Sequence, residues 1–267
     1  MSNIKLVRKL AQKNFRNELK LFVAEGLRLC EEVPPALIEF GFYTREFLSD
    51  ERAKILVERL KPLEEVSPST MEKISDTQTP QGILLVVRQK FSSLEEVLKK
   101  KIIAVLDGVQ DPGNVGTILR TAAAFNCGVI LLDGSAEIFN PKVVRSSMGA
   151  IFYLPIVKMN REEFLNLRGV EILAAAIDSS AEIYYRYNFK KQSAIVFGSE
   201  AAGVSKEILD AAKKIFIPMS GHAESLNVAT SAAIILSEAV RQSEIHFVKA
   251  EKNFFQPQTK LHRVPVN

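Results

Sequence analysis

The second half of the chain places polar side chains just after apolar segments. They are an asparagine and an arginine, a glutamate in a glycine-flanked loop, and a serine and an asparagine ahead of a helix of small residues: Asn114, Arg120, Glu200, Ser225 and Asn227. Free backbone N–H groups and the positive dipole end of that helix favour an electron-rich ligand atom near Ser225 and Asn227. A carboxylate in a tight loop, such as Glu200, accepts hydrogen bonds from ligand hydroxyls or holds a catalytic cation in place. Together the residues indicate a ligand site.

Each of these residues also fits an ordinary structural role. Ser and Asn are common helix caps, so the stretch around Asn227 equally fits a capped, buried amphipathic helix. Glu200 fits a solvated or capping residue in a strand-to-helix turn. A loop over residues 133–149 carries Asn140, Lys142 and Arg145, which fit either plain loop chemistry or a phosphate contact. Taken one at a time, the segments leave both interpretations open.

Apolar runs predict the strands that hold these residues. The runs cover residues 102–106, 129–132, 152–157, 171–177 and 194–197, and the first is continuous, as in a parallel sheet buried on both faces. Residues 112–114 predict a turn and residues 116–125 a helix; a strand ending at Pro218 and Met219 precedes a helix from Leu226. Because ligands of open parallel sheets gather at the carboxyl ends of strands, we expect Asn114 and Arg120 near a site.

Residues 1–95 predict a smaller α/β unit. Strands at residues 21–24, 36–43 and 83–88 alternate with helices at residues 5–12, 26–33, 50–60 and 67–75, a pattern typical of layered α/β structure. Ser92 or Ser93, with Glu95 or Glu96 three residues on, forms a capping box that begins a linker helix. We expect a first domain over residues 1–95, a second over residues 96–248 and a tail over residues 249–267. The tail fits a partner-docking arm, an RNA-contacting arm or a packed segment.

The composition excludes several classes of protein. A hydrophobic share of 47% and a charged share of 25% are those of an ordinary globular protein. The sequence shows neither an apolar run of about 18 residues nor an apolar signal-peptide core, so we expect a cytoplasmic protein without membrane association. Cys30 and Cys127 predict reduced, buried thiols. The histidines are too scattered to suggest a metal site, and we expect no metal: His222, His246 and His262.

Basic charge is concentrated at the two ends of the chain. Residues 1–28 carry a net charge of +5 and residues 241–267 a net charge of +3, although the whole chain carries only +4. Basic ends around a mildly acidic body fit a polyanion footprint, and they equally fit a plain surface helix and tail. If nucleic acid is the partner, we expect it to contact these side chains: Arg8, Lys13, Arg16, Arg28, Lys142 and Arg145.

Three segments, in order, carry a family resemblance. They are NVGTILR at residues 114–120, FGSEAAGVS at residues 197–205 and IPMSGHAESLNVATSAAIILSEA at residues 217–239. They resemble the three motifs of the SpoU/TrmH family of RNA ribose 2′-O-methyltransferases, in the SPOUT superfamily, and VVRSSMGAIFYLPI at residues 143–156 is similar to the stretch between the first two. In the first half, FVAEGLRLCEE at residues 22–32 and SDTQTPQGILLVV at residues 75–87 resemble the ribosomal-protein-like substrate-binding domain of many members.

The resemblance implies an S-adenosylmethionine-dependent enzyme and a homodimer. It implies an α/β fold in which a small RNA-binding domain precedes a parallel-sheet domain with a deep trefoil knot, a rare exception to unknotted connectivity. Carried over motif by motif, the expected catalytic residues are the five named at the outset. The expected cofactor-binding residues surround a bent cofactor: Phe197, Gly198, Glu200, Gly203, Ile217, Met219, Ser225, Leu226 and Asn227.

Methyl transfer from a sulfonium needs alignment and help with the loss of the hydroxyl proton, and no metal. In the family, the arginine that matches Arg120 is proposed to act on the 2′-hydroxyl, sometimes as a base. A guanidinium has a pKa above about 12 and is a poor base, so we expect Arg120 to orient the ribose or phosphate and to stabilise the developing alkoxide. Two departures from the family pattern are Ser199, where an asparagine is more common, and Ala229, where a serine is frequent.

The first domain favours ribosomal RNA as the substrate by analogy, with transfer RNA as the alternative. Two other functions compete with this prediction. A nucleotide-binding oxidoreductase would need GxGxxG spacing, which Gly108, Gly113 and Gly116 do not provide. A non-catalytic RNA-binding or assembly factor on the same fold would have no reason to retain Asn114 and Arg120 together with Glu200 and Asn227.

Overall fold

The computed structural model describes residues 2–60, 62–222 and 224–243, which form two β-sheets with their helices. The predicted tail at residues 249–267 lies outside the described residues. Within them, no helix is both long enough and apolar enough to cross a membrane.

The first sheet has four strands in the order β1-β4-β2-β3. Its strands are β1 (Leu21–Glu25), β2 (Ile38–Tyr43), β3 (Leu63–Glu65) and β4 (Ile83–Arg88). The central strand β4 is buried from Ile83 to Val87 and pairs antiparallel with β1 and β2, which explains its unbroken Ile-Leu-Leu-Val-Val run. The helices of this part are α1 (Asn3–Leu10), α2 (Lys13–Leu19), α3 (Leu27–Glu32), α4 (Glu51–Arg59) and α5 (Pro68–Ile74).

The second sheet has seven strands, all parallel, in the order β7-β6-β5-β10-β8-β11-β9. They are β5 (Ile102–Asp107), β6 (Gly128–Leu131), β7 (Ile156–Lys158), β8 (Glu171–Ala175), β9 (Glu182–Ile183), β10 (Ser193–Gly198) and β11 (Lys213–Phe216). The adjacent strands β5 and β10 are buried along their whole lengths. This is the continuous apolar pattern expected of strands covered on both faces.

Helices cover this sheet and connect its strands. They are α6 (Leu94–Leu98), α7 (Pro112–Ala124), α8 (Pro141–Ser146), α9 (Arg161–Leu165), α10 (Lys206–Ala211) and α11 (Val228–Gln242). The capping box that begins α6 is made by Ser93 and Glu96. The long helix α11 packs on α7 and on β5, more than 100 residues earlier in the chain. The α/β architecture with a parallel sheet is therefore as predicted.

Four local predictions are corrected by the structure. Pro112, Gly113 and Asn114 form the first turn of α7 and no separate turn precedes it, because the Asp111 carboxylate caps the helix by accepting from the Asn114 N–H at 2.9 Å. The predicted loop at residues 133–149 contains α8, which begins after the capping side chain of Asn140. The strand expected to reach Met219 ends at Phe216, and the segment expected at residues 152–157 is split between a 3-10 turn (Ala150–Phe152) and β7.

The two sheets belong to parts that pack directly against each other. The Phe22 ring, on β1, lies 4.9 Å from the ring of Phe139 between the two centroids and 6.1 Å from that of Phe152. Arg16 is only 2% exposed, and its guanidinium donates to the Glu137 carboxylate. A buried, hydrogen-bonded ion pair tolerates little displacement of either partner. Aromatic packing and this buried ion pair therefore join the two parts.

Candidate active site

A cleft of about 510 Å³ opens at the carboxyl ends of β8, β10 and β11. Small-molecule sites usually occupy several hundred Å³ and lie at such strand ends. The structure brings together around this cleft all nine residues expected to bind a cofactor: Phe197, Gly198, Glu200, Gly203, Ile217, Met219, Ser225, Leu226 and Asn227.

The loop after β10 folds back on itself and forms one wall of the cleft. The Ser199 N–H donates to the Gly203 carbonyl at 3.0 Å, and the Gly203 N–H donates to the Ser199 carbonyl at 2.9 Å. A Cβ atom on Gly198 would lie 2.0 Å from the Gly203 carbonyl carbon and 2.1 Å from the Val204 nitrogen. Gly203 itself has φ +68°. The two glycines of the loop are thus required for different reasons: Gly198 by close approach of backbone, Gly203 by a left-handed conformation.

A chain of hydrogen bonds joins three elements at the mouth of the cleft. The Asn227 amide donates to the Asn114 side-chain oxygen at 3.0 Å, and the Asn114 amide donates to the Glu200 carboxylate at 2.5 Å. The Asn227 side-chain oxygen accepts from the N–H groups of Ala229 and Thr230, which caps α11. The capping role that the sequence left open for Asn227 is therefore confirmed, and the same side chain also joins the hydrogen-bond chain at the mouth of the cleft.

The amino-terminal end of α7 carries its own charged cap beside this chain. The Asp111 carboxylate accepts from the Asn114 N–H, and the Lys142 ammonium lies 3.1 Å from it. The backbone N–H of Asn114, followed by the Lys142 ammonium, holds the pKa of Asp111 below its usual range. The cap therefore stays ionised at neutral pH and fixes the backbone that presents the Asn114 side chain.

Sequence reasoning missed Asp107, the last residue of β5, which fixes the position of the Glu200 loop. Its side chain is 1% exposed; it accepts from the Ser205 N–H at 2.7 Å and from the Arg161 guanidinium at 2.7 Å. The Arg161 guanidinium also donates to the Asp133 carbonyl. A buried carboxylate with two such donors holds the end of the loop rigidly against β5. An aspartate directly after a buried strand was the available signal.

Sequence reasoning also missed Ile177, on the rim of the cleft. Its side chain is 68% exposed, although the cleft it lines is largely apolar. The segment that follows is anchored by Asp178, whose carboxylate accepts from Ser180 and pairs with Lys214 at 2.9 Å. These partners, Ser180 first and Lys214 next, lower the pKa of Asp178. An exposed isoleucine held at the rim of an apolar cleft can close over a flat ligand.

Arg120 does not line the cleft. It lies six residues after Asn114 on α7, which is about 9 Å along the helix and about 120° away around its axis. Its side chain is exposed, and within the described part of the chain its guanidinium makes no hydrogen bond or ion pair. It is therefore available to a phosphate or ribose oxygen that approaches over α7.

The basic residues expected to contact RNA have different surroundings. Arg8, Lys13 and Arg28 are exposed on the first domain. Lys142 pairs with Asp111, and Arg145 pairs with Asp76 at 2.6 Å, so α8 presents cations that are already partly neutralised. The prediction for Arg16 is wrong: its guanidinium is buried among Glu137 and the carbonyls of Leu10 and Ala11. A basic residue in an otherwise polar helix gave no sign of this long-range partner.

The described residues contain no group of three or more His, Cys, Asp and Glu side chains placed to hold a metal ion. Both thiols are buried, and burial raises the pKa of Cys127 to about 12 and that of Cys30 further. Neither cysteine is therefore a nucleophile at neutral pH. What the cleft offers is an apolar wall, exposed backbone groups and a carboxamide–carboxylate chain.

Comparison with known proteins identifies the family. Residues 101–237 match the model of the SpoU rRNA Methylase family, and residues 2–85 match that of the MRM3-like substrate binding domain. The 23S rRNA (guanosine(2553)-2′-O)-methyltransferase of Bacillus subtilis is 33% identical over 86% of this chain and 92% of its own length. The chain belongs to the SpoU methyltransferase family. Like that relative, it is an RNA ribose 2′-O-methyltransferase.

Two further relatives bear on the cofactor and the substrate. The structure of an AdoMet-bound rRNA methyltransferase from Sinorhizobium meliloti superimposes with a TM-score of 0.79 at 31% identity, covering 89% of this chain and 94% of that one. A tRNA (guanosine(18)-2′-O)-methyltransferase of Aquifex aeolicus is 35% identical over 60% of this chain and 80% of its own length. S-adenosylmethionine is thus the cofactor of this SpoU enzyme.

The residues around the cleft fit that cofactor. Ile177, Ile217, Met219 and Leu226 provide apolar surface for a flat adenine ring, while the Glu200 carboxylate provides a hydrogen-bond acceptor at the polar end. Met219 and Leu226 both line the cleft and are 36% and 37% exposed, so the cleft presents apolar surface to a ligand. A bound adenosyl group would cover them.

Proposed function

We propose that this SpoU enzyme transfers a methyl group from S-adenosylmethionine to the 2′-hydroxyl of a ribose in ribosomal RNA. The observation that carries the proposal is the hydrogen-bond chain from Asn227 through Asn114 to Glu200, because it joins all three family motifs at the mouth of one cleft. Its acceptor end, the Glu200 carboxylate, is exposed toward the cleft and has lone pairs available for a ligand hydroxyl.

The cofactor supplies a methyl group already activated on a sulfonium. The work left to the protein is alignment and charge stabilisation. Glu200, Asn114 and Asn227 hold the cleft closed on one side and position the ribose. Arg120, which stays protonated, donates to the 2′-oxygen or the adjoining phosphate and stabilises the alkoxide as it develops. Ser225, exposed at the cleft, contributes a further hydrogen bond.

Ribosomal RNA is favoured over transfer RNA by the extent of the matches. The relative that acts on 23S rRNA aligns with 86% of this chain, and the relative that acts on tRNA with 60%. The matched substrate-binding domain at residues 2–85 gives this enzyme a second surface for a large folded RNA. RNA helices hide their base edges, so such enzymes read shape and loops.

We also propose that the enzyme is a homodimer with a trefoil-knotted second domain, working in the cytoplasm. An exposed face of α7 carries the small side chains of Thr117 and Ala124, and α7 packs beside α11; small side chains allow a second copy to approach closely. Sedimentation of wild type and Ala124→Glu tests the dimer, which the added charge should dissociate.

Pulling the two ends of the chain apart tests the knot, because a knotted chain extends less than the ~3.3–3.6 Å per residue of an open one. The buried thiols Cys30 and Cys127 suit a reducing compartment.

The test is transfer of labelled methyl from S-adenosylmethionine to unmodified ribosomal RNA and, separately, to transfer RNA. Wild type is compared with Arg120→Ala and with Arg168→Ala. Arg168 is exposed and follows α9, whose Phe164 packs in a different core cluster from the buried residues of α7. We expect ribose label in ribosomal RNA, a loss of about 100-fold or more in Arg120→Ala with unchanged cofactor binding, and normal activity in Arg168→Ala. Label in transfer RNA alone would overturn the substrate. Cofactor binding without transfer to either RNA would favour a non-catalytic RNA-binding factor.

A further inference from the structure

A second cavity, of about 440 Å³, lies between the first sheet and the second. We call it the interdomain groove; it is bounded by Arg88 at the end of β4, Lys90 just after it, Lys99 and Lys100 before β5, and the segment at residues 151–155 before β7. The groove therefore lies at the amino ends of β5 and β7, whereas the cofactor cleft lies at the carboxyl ends. The six residues of β5 separate the two by about 20 Å. The groove is not part of the methyl-transfer site.

The floor and one wall of the groove are aromatic. Phe22, Phe139 and Phe152 pack against one another below it. Tyr153, which also lines the groove, is 63% exposed, yet its hydroxyl donates to the Glu32 carboxylate at 2.8 Å. A ring tethered at its tip with an open face is already ordered for stacking, so stacking costs it little conformational entropy. Tyr153 thus combines an exposed side chain with a hydroxyl that is held in place by Glu32.

The rim of the groove continues into a ridge of lysines along the amino edge of the second sheet. The run at residues 99–101 meets Lys190 and Lys191, because the Lys101 ammonium contacts the Lys190 carbonyl and the Gln192 amide donates to the carbonyl of Lys100. Among the described residues the ion pairs near the groove are exposed ones, Lys99 with Glu95 and Arg88 with Glu39, and farther along this edge Lys213 pairs with the less exposed carboxylate of Glu171. Exposed pairs contribute little and yield readily to a stronger anion. Lys90, Lys190 and Lys191 form no ion pair in the described part of the chain.

We propose that the interdomain groove and this lysine ridge bind a single-stranded segment of the RNA substrate. The lysines neutralise phosphates, and the open face of Tyr153 stacks a base. A base inside a helix has no free face, so the segment must be unpaired. The chain's own segment at residues 244–267 is a poor occupant, because its Lys and Arg residues outnumber its Glu residues and give it the same sign of charge as the ridge. The enzyme would thus hold its RNA at two points on opposite edges of one sheet.

The inference rests on the proposed function for its choice of RNA, and it is tested by binding without methyl transfer. The full chain is titrated into fluorescently labelled decauridine and, separately, a blunt-ended RNA duplex, at several salt concentrations. The variants are Lys90→Ala/Lys99→Ala, Tyr153→Ala and Tyr153→Phe. The matched control, Lys54→Ala/Lys73→Ala, removes two exposed lysines of α4 and α5, away from the groove.

For decauridine, the Lys90→Ala/Lys99→Ala variant should lower the slope of log affinity against log salt by about 1.4, which is ~0.7 for each phosphate that is no longer neutralised. Tyr153→Ala should weaken binding roughly tenfold, whereas Tyr153→Phe, which keeps the ring, should stay within about threefold of wild type. Duplex binding should respond alike to the groove variants and the control. Groove variants indistinguishable from the control on decauridine would overturn the inference.

Two further arms separate this inference from its alternatives. If removal of residues 244–267 raises decauridine affinity more than about tenfold, that segment occupies the groove and the inference is wrong. If wild type methylates neither RNA, yet decauridine binding depends on the Tyr153 ring, the proposed function fails and the groove stands. If methyl transfer is normal and decauridine binding does not depend on Tyr153, the proposed function stands and the groove inference is wrong. Cofactor affinity, measured by calorimetry, should be unchanged in every groove variant.

Discussion

The substitution Gly198→Ala tests whether the closed loop after β10 builds the cofactor cleft. The added Cβ would lie 2.0 Å from the Gly203 carbonyl carbon and 2.1 Å from the Val204 nitrogen. Both contacts are with backbone, so no side-chain rotation relieves them, and the loop must open by about 1.5–2 Å to reach ordinary contact distance. Opening breaks the two backbone hydrogen bonds between Ser199 and Gly203.

The expected magnitude follows from those two bonds. Each contributes about 0.5–1.5 kcal/mol net, so the closed loop loses roughly 1–3 kcal/mol relative to an open one. If only the closed loop binds the cofactor, affinity falls about 5-fold to 150-fold, since ~1.4 kcal/mol corresponds to a factor of ten. Circular dichroism should show a folded protein, because the loop lies at the edge of the sheet.

Calorimetric titration with S-adenosylmethionine measures the loss of cofactor affinity, and alanine substitutions at two other glycines serve as comparisons. In Gly203→Ala the added Cβ would meet no atom within 4 Å, but the residue has φ +68°. Backbone strain alone should therefore destabilise the closed loop by about 1–2 kcal/mol. Gly221→Ala meets no atom within 4 Å and has no unusual φ, so its affinity should match wild type. A Gly198→Ala protein that binds the cofactor within twofold of wild type would show that loop closure does not shape the site.

Three further predictions concern the elements that support the site. Glu137→Ala leaves the buried Arg16 guanidinium without its carboxylate and should lower the free energy of unfolding by about 3–5 kcal/mol. Arg52→Ala, which breaks an exposed pair, should leave the free energy of unfolding nearly unchanged; equal denaturation midpoints for the two variants would contradict this. Asp107→Asn keeps the size of the side chain but loses the charge that holds the Ser205 N–H and Arg161, so methyl transfer should fall at least tenfold while RNA binding is retained; a normal rate would show that the loop needs no anchor. Asp111→Ala removes the cap of α7 and should lower the free energy of unfolding by about 0.5–2 kcal/mol. Because the pKa of Asp111 is lowered in the folded protein, this difference from wild type should be constant from pH 8 to about pH 5 and decline only as the pH falls below about 4. A difference that vanished near pH 6 would refute the assignment.

The local pattern of the chain determined the class of fold and much of the site. Continuous apolar runs such as residues 102–106 identified strands buried on both faces, and the Ser93–Glu96 spacing identified the start of α6. These features depend on residues close together in sequence, so a pattern reveals them. Family motifs then placed Asn114, Glu200 and Asn227 in one site before any contact between them was visible.

Short elements and long-range partners were decided only by the tertiary structure. α8 and β9 are too short to leave a period in the sequence, and β3 is stabilised mainly by pairing with β2. Arg16 resembled its basic neighbours, yet a partner 121 residues away buries it. Asp107 and Ile177 lie near the cleft only because the carboxyl ends of neighbouring strands meet there. Interactions between residues far apart in sequence depend on how the chain packs, which no local period or spacing encodes.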